Sequence, residues 1–331
     1  MSYFTKDYSY LLDKSLIAQH PKERDSSRLF VPSLQQHSHI KQLANFLPKN
    51  TLIVFNNSLV IPSKLPIKKL SGGTGELLLI ERVKNSLWKC FLKISRKPSF
   101  PFSVFSGDHE IIIESQEEHF FLATIPEACL DLLEIPLPPY IKRSVNSLDS
   151  YFYQTSFASI KGSLAAPTAG LHFSEEYIND LKNNFTTLFL TLHVGLGTFL
   201  PVKADHILDH NMHEESYFIH KEQAEILNNH AGPILCIGTT SLRAVESFFE
   251  NQLYDSWQKT SIFFHPYHRP KKVNMLLTNF HLPETTLFML VCSFIGIKEA
   301  FDVYQEAMNH KYSFFSYGDT SLLFFKDHID V

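Results

Sequence analysis

Apolar positions follow two different rhythms along the chain. Residues 51–57, TLIVFNN, form a continuous apolar run that ends in a turn, as a buried strand does. From 65 to 125 the runs shorten and become rich in β-forming residues: GELLLIERV, LWKCFLKIS, HEIIIES and HFFLATI. Clusters of Gly, Asn, Pro or Ser separate them at roughly ten-residue spacing, which predicts a small antiparallel barrel or sandwich. PEACLDLLE at 126–134 then reads as a short helix starting at a proline. IPLPPYIKR at 135–143 is too proline-rich for a regular element and reads as a connector.

Beyond about residue 155 strands and helices alternate. SEEYINDLKNN is a helix with Ser174 as N-cap and two glutamates in its first turn. TTLFLTLHV is a strand, KEQAEILNNHAG a helix closed by Gly232, and PILCIG a buried strand. SLRAVESFFENQ is a helix and TSIFFH a strand. LPETTLFMLVCSFIG is an apolar helix with Pro283 in its first turn, and KEAFDVYQEAMNH is a final amphipathic helix. The pattern predicts an α/β layered main domain, residues 1–64 plus 151–331, interrupted by an inserted antiparallel β-barrel domain over 65–150.

Composition narrows the class. With 331 residues, 44% hydrophobic and 19% charged, the chain has enough apolar material for two cores. MSYFTKDYSY has no secretory pattern, and the longest apolar run, 286–297, is about half a membrane span. Cys90, Cys129, Cys236 and Cys292 stand far apart among apolar neighbours, as reduced core thiols do. A cytoplasmic protein acting as a monomer, without a membrane, is expected. Net charge is −4, yet residues 64–97 hold nine basic side chains against Glu76 and Glu81, leaving about −11 for the rest. Such a segment fits either a local grip on a polyanion or lysine-protected strand edges.

Familiar catalytic signatures are missing. SGGTGE at 71–76 lacks the Lys-Ser/Thr ending of a phosphate loop, and HVGLGTF lacks the third glycine of a dinucleotide fingerprint. Neither a G-x-S-x-G elbow nor an HExxH helix occurs. What remains is a set of uncharged, small-residue junctions where strands or loops meet helices, the edge at which open α/β sheets bind ligands. AAPTAGLHF holds Thr168, Gly170 and His172, and TLHVGLGTF holds His193, Gly195, Gly197 and Thr198. IGTTSLRAVES holds Thr239, Thr240, Arg243 and Glu246. TNFHLPETT holds Asn279 and His281, and FFSYGDTS holds Asp319. Small residues let a ligand approach the backbone, and a helix start offers free N–H groups to an anion. Against this stand a satisfied core histidine, a tight turn, and an Arg243–Glu246 pair at i,i+3 that does nothing chemical. A metal reading uses Asp205-His206, Asp209-His210 and His213-Glu214, whose three histidines would share one face of a helix. No known metal-class spacing fits them, and no metal is expected.

Taken in order, AAPTAGLHF, TLHVGLGTF, DHNMHEE, IGTTSLRAVES, TNFHLPETTLFMLV and FFSYGD resemble the S-adenosylmethionine:tRNA ribosyltransferase-isomerase family of queuosine biosynthesis. LIAQHPKERDSSRLFV, LIVFNNSLVIPSKL and LPPYIKR resemble the family's opening and central connector, so the resemblance spans essentially the whole chain. It implies transfer and isomerisation of the ribosyl moiety of S-adenosylmethionine onto 7-aminomethyl-7-deazaguanine at the tRNA wobble position. Epoxyqueuosine-tRNA, adenine and methionine would form, with S-adenosylmethionine as donor and no bound cofactor. It also implies an α/β domain interrupted by a small barrel.

That chemistry asks for a base to take a proton from the 5′ carbon beside the sulfonium, which makes His172, His193 and His281 the catalytic candidates. Thr168, Gly170, Gly195, Gly197, Thr198, Thr239, Thr240, Arg243, Asn279 and the carboxylates Glu246 and Asp319 are the expected substrate contacts. Thr168 and His172 are expected to turn toward the ligand. Lys89, Lys93, Arg96 and Lys97 are the expected tRNA contacts, positioning phosphates. The chain departs from the family's pattern at Leu59, where Arg is usual, at Tyr267-His268, where Gly-Tyr is common, and at Asn274, usually Asp. These departures leave a catalytically silent tRNA-binding relative as the alternative, and a metal-dependent hydrolase using residues 205–214 as a third class.

Overall fold

The computed structural model describes residues 3–117, 120–146, 148–195 and 202–327. The strands in chain order begin with β1 (Arg28–Val31), β2 (Gln36–His39), β3 (Leu52–Asn56) and β4 (Ser58–Val60). There follow β5 (Lys64–Lys68), β6 (Thr74–Lys84), β7 (Leu87–Ile94), β8 (Phe102–Ser106), β9 (His109–Glu117) and β10 (Phe120–Thr124). The remainder are β11 (Ile160–Ser163), β12 (Thr186–Leu192), β13 (Glu215–Phe218), β14 (Ile234–Ile237), β15 (Gln258–Thr260), β16 (Met275–Asn279) and β17 (Thr320–Phe324). The helices are α1 (Asp149–Phe152), α2 (Glu175–Asn184), α3 (Lys221–Asn229), α4 (Thr239–Asn251), α5 (Thr286–Ile295) and α6 (Ile297–Asn309). Two compact units result, one of residues 1–59, 138–144 and 150–331, the other of residues 60–137 and 145–149.

In the larger unit nine strands form one sheet in the order β15-β13-β12-β3-β14-β16-β17-β1-β2. Its centre, β12-β3-β14-β16, is parallel, and antiparallel pairs flank it at β16–β17 and β12–β13. Because side chains alternate along a strand, the sheet feeds two cores. Leu52 and Val54 face one with Cys236, Leu242, Val245 and Phe248 of β14 and α4. Ile53 and Phe55 face the other with Tyr177, Ile178 and Leu181 of α2. Burial on both faces explains why the central strands read as continuous apolar runs. β11 pairs with β4 in a separate two-stranded sheet.

In the smaller unit the order β10-β7-β6-β5-β8-β9 closes into an antiparallel barrel. Leu65, Ile67, Leu77, Leu79, Val104 and Ile111 fill its interior with Cys90. Closure removes free sheet edges, so the lysines of this segment are not edge guards. Lys64, Arg82 and Lys93 pair with Glu134, Glu127 and Glu76, so part of the basic segment's charge is offset inside its own unit.

Several elements differ from the sequence reading. TSIFFH is not a strand: only Gln258–Thr260 pairs, with β13, while Ile262 and Phe264 are buried without a ladder. PEACLDLLE forms a 3-10 helix over Glu127–Leu132. The α5 helix starts after Pro283, with the Thr285 side chain accepting from Phe288 N. The α3 helix ends at His230, and Gly232 is needed for another reason: an added Cβ would lie 2.2 Å from the Asn50 carbonyl oxygen. All four cysteines are buried and free. Among the described residues, no helix is long and apolar enough to cross a membrane.

Candidate active site

The parallel strands β3, β12, β14 and β16 end at one edge of the sheet, and a cleft of about 640 Å³, counting the part open to solvent, lies there. Ala166–Ala169 form one wall, Gly238, Thr239 and Thr240 another, and Thr278, Asn279, His281 and Thr285 a third. Among the described residues, no Lys, Arg, Asp or Glu lines it. Gly238 joins β14 to α4 at φ +90°, a region that penalises any residue with a Cβ. It provides no side-chain cap, so the first-turn N–H groups of α4 stay available where Thr239 and Thr240 line the cleft.

Asn56, at the end of β3, ties this edge together. Its amide nitrogen donates to the Leu192 carbonyl at 2.8 Å and the Thr240 hydroxyl at 3.2 Å. Its oxygen accepts from Leu192 N and Ser58 N. Sequence reasoning did not single out Asn56 as a site residue. A polar residue closing a wholly apolar run was the available signal.

The three histidines have different surroundings. His281 lines the cleft; its Nε2 lies 2.8 Å from the Thr278 hydroxyl, and Nδ1 has no hydrogen-bond partner among the described residues. Its backbone is clamped by the Tyr304 and Tyr10 hydroxyls. Burial holds its pKa down to about 3, so the ring is neutral at pH 7.

His172 does not line the cleft. It borders a small cavity with Ser27 and Lys22, and both its nitrogens are engaged. Asn279 donates its amide N–H to the Phe315 and Ser316 carbonyls, which turns its oxygen toward His172 Nε2 at 3.1 Å. Nε2 therefore carries the proton, and Nδ1 accepts from the Ser27 hydroxyl at 2.9 Å. Burial is again the main cause of a lowered pKa, about 4. His172, expected to turn toward the ligand, instead props Asn279 from behind this cleft. His193 lies apart, stacked on Trp257 at 4.7 Å with Nδ1 2.7 Å from the Ser58 hydroxyl.

Other sequence candidates also separate. Thr168, Thr239, Thr240 and Asn279 join His281 in the cleft. Gly170 is packed against Thr155 and Phe157, and an added Cβ would come within 2.8 Å of Thr155. Gly195 donates its N–H to Glu215 at 2.8 Å, while Gly197 and Thr198 lie outside the described residues. Arg243 and Glu246 are not partners and neither lines the cleft. Arg243 pairs with Glu215, and Glu246 accepts from Lys271 N, Lys272 N and Val273 N, holding that loop. Asp319 accepts from Lys22, Arg28 N and Ser313 N, again away from the cleft. Cleft residues not singled out in the sequence include Tyr140, Thr285 and Phe315, although each lies inside a quoted stretch, LPPYIKR, TNFHLPETT and FFSYGDTS, where a neighbouring residue drew the assignment.

The proposed metal face does not form. Residues 207–209 make only a 3-10 turn, His206 stacks on Tyr3, and His210 meets the edge of Phe263. The departures from the family pattern lie outside the cleft lining. Asn274 Oδ1 accepts from Ile234 N at 2.9 Å, a role an Asp could also fill, and Tyr267 stacks on Tyr3 at 4.1 Å.

Two buried neutral histidines make stability depend on pH. Below pH 6.5 the unfolded rings take up protons that the folded rings refuse until about pH 4 and 3. This contribution is thus complete above pH 6.5 and falls as the pH drops, by up to roughly 3 kcal/mol for His172 and roughly 5 kcal/mol for His281. Urea midpoints between pH 7 and 4.5 are expected to fall less steeply in His172→Gln and in His281→Gln than in the parent chain. Equal slopes would rule out this origin.

An α/β cleft at the carboxyl ends of parallel strands, uncharged and holding a neutral histidine, defines a small-molecule site of the kind enzymes build. The chain belongs to the queuosine biosynthesis protein family, whose model matches residues 5–323. It is 38% identical over 340 residues to the S-adenosylmethionine:tRNA ribosyltransferase-isomerase of Thermoanaerobacter sp. (strain X514), covering 96% of this chain and 98% of that one. Its identity to the protein of the same name from Treponema denticola is 39% over 344 residues, covering 96% and 99%. The crystal structure of S-adenosylmethionine tRNA ribosyltransferase from Thermotoga maritima matches with TM-score 0.54 and 28% identity, covering 96% of this chain and 99% of that one.

Proposed function

We propose that this chain is a cytoplasmic enzyme that transfers and isomerises the ribosyl moiety of S-adenosylmethionine onto 7-aminomethyl-7-deazaguanine in the tRNA anticodon, releasing adenine and methionine. The observation that carries the reading is the uncharged cleft with His281 on one wall and the α4 N-terminus on another. A sulfonium cation is repelled by Lys or Arg, and among the described residues none lines the cleft. The α4 N–H groups suit the carboxylate of the methionyl end. Neither Glu246 nor Asp319 is needed, since both are spent on backbone N–H groups.

His281 is the residue to accept the 5′ proton. Its low pKa makes it a weak base in water, but here the proton leaves a carbon attached to a sulfonium. Positive charge moves from the substrate to the imidazole rather than being created, so burial opposes the step less than it opposes protonation from solvent. The Thr278 hydroxyl donates to the Asn279 carbonyl at 3.4 Å and so accepts from His281 Nε2–H, which leaves Nδ1 as the accepting atom.

The tRNA would meet the barrel. On β7, Lys89, Phe91 and Lys93 alternate with inward-facing Cys90 and so share the outer face. Lys89 lies 4.3 Å from the centre of the Phe120 ring, and Lys97 lies 4.4 Å from that of Phe121. Replacing Lys89, Arg96 and Lys97 by Gln should reduce the slope of log affinity against log salt by about 2. Lys93→Gln should change it less, because Glu76 already pairs with Lys93 at 3.0 Å. An unchanged slope in the triple variant would remove the barrel from the tRNA contact.

The function itself is tested by adenine release from S-adenosylmethionine, with and without tRNA carrying 7-aminomethyl-7-deazaguanine. Release only with that tRNA, together with the matching mass gain in the nucleoside, is expected. A folded chain that binds the tRNA and releases nothing would be a silent relative.

A further inference from the structure

Away from the cleft, the β1–β2 hairpin meets the C-terminal turn of α6. There His37, Glu306 and His310 each present one ligand-type atom, and the three atoms lie within 4.8 Å of one another. Among the described residues this is the one group of three His, Cys, Asp or Glu side chains so arranged. We propose that His37, Glu306 and His310 form a surface site for a borderline divalent cation of the zinc type, which ties the β1–β2 hairpin to the end of α6.

Two features support a built site rather than a chance meeting. Glu306 and His310 stand at i,i+4 on the last turn, so the helix puts both on one face, and His310 Nδ1 lies 3.0 Å from Glu306 Oε1. His37 is oriented from behind: the Tyr312 hydroxyl engages Nδ1 at 2.9 Å, and the ring stacks on Phe30 at 4.8 Å. Such an outer contact leaves Nε2 for a ligand and fixes the ring, as outer-shell partners of metal-bound histidines do.

The donor set decides the metal class. Two imidazole nitrogens and one carboxylate oxygen suit Zn²⁺, with a fourth position left for water. Mg²⁺ and Ca²⁺ require oxygen ligands throughout. The site opens on a groove that Glu299 and Asp302 also line, which favours cation entry. Of the cations nearby, Arg28 lies over the Tyr312 ring and donates to the His310 carbonyl, and Lys326 pairs with Glu299, which leaves Asp302 as the groove's other carboxylate. This site is separate from the proposed ribosyl chemistry and does not depend on it.

The test uses the full chain, stripped with chelator and dialysed. Zinc content after equilibrium dialysis against ZnCl2, and thermal unfolding with ZnCl2 or MgCl2, are compared for the parent, His37→Gln, Glu306→Gln and His310→Gln. His37 and His310 are exposed and Glu306 is half-buried, so the metal-free variants should fold normally. At a hundredfold excess over Kd, zinc should raise the parent melting temperature by roughly 5 °C, and magnesium should not. Each variant should lose one zinc equivalent and most of that rise. Variants that keep the parent's zinc content would assign binding to other histidines and overturn the proposal, as would a parent that binds none.

Discussion

His281→Gln is expected to slow adenine release by about 10²–10⁴-fold at saturating S-adenosylmethionine and tRNA. Glutamine keeps a polar group beside Thr278 but cannot accept and return a proton. The measurement is the single-turnover rate of adenine formation, with S-adenosylmethionine affinity determined separately. Affinity should change little, because the loss belongs to the transition state. His172→Gln should act more weakly, through a displaced Asn279, and His193→Gln, outside the cleft, by less than about tenfold. A reversed order, with His193→Gln inactive and His281→Gln near normal, would move the proton transfer out of this cleft. The pH profile provides a second check. A pKa of about 3 for the free His281 predicts no acid limb near pH 6.5 in kcat/KM from this ring.

The sequence made the layered domain and the barrel legible because both express themselves through burial. β3 and β14 are buried on both faces and read as unbroken apolar runs, and the barrel strands alternate around Leu77, Leu79 and Cys90. Elements that bury little were missed: β2 is QHSH, mostly exposed, and no apolar pattern marks it. TSIFFH failed in the opposite direction, since Ile262 and Phe264 enter the core without strand pairing. Periodicity reports where side chains go, not where backbone hydrogen bonds go.

The same distinction governs the site. Small-residue junctions pointed to the sheet edge at which the cleft lies, because a close backbone approach restricts residue type. They could not say which histidine faces the cleft. That is fixed by partners distant in sequence, such as Ser27 and Asn279 for His172 and Thr278 for His281. Arg243 and Glu246, three apart on α4, suggested a pair, yet the partner of Arg243 is Glu215 on the neighbouring β13.

Breaking that buried pair is the other large expected effect. Arg243 and Glu215 are both nearly inaccessible, and Glu215 also accepts the Gly195 N–H while Arg243 donates to the Ile262 carbonyl. Arg243→Met leaves the Glu215 carboxylate buried without its counter-charge, at a cost of about 3–5 kcal/mol. Urea unfolding should show this as a lower midpoint with an unchanged m-value. Adding Glu215→Leu should recover much of the stability, since the pair is then replaced by apolar volume. It should not recover activity. Gly195 follows Val194, a cleft residue two positions beyond β12, and in the double variant its N–H has lost the carboxylate that anchors it. A double variant that regains both stability and turnover would make the pair purely a packing element. One that regains stability alone would show that the pair positions the β12 end of the cleft.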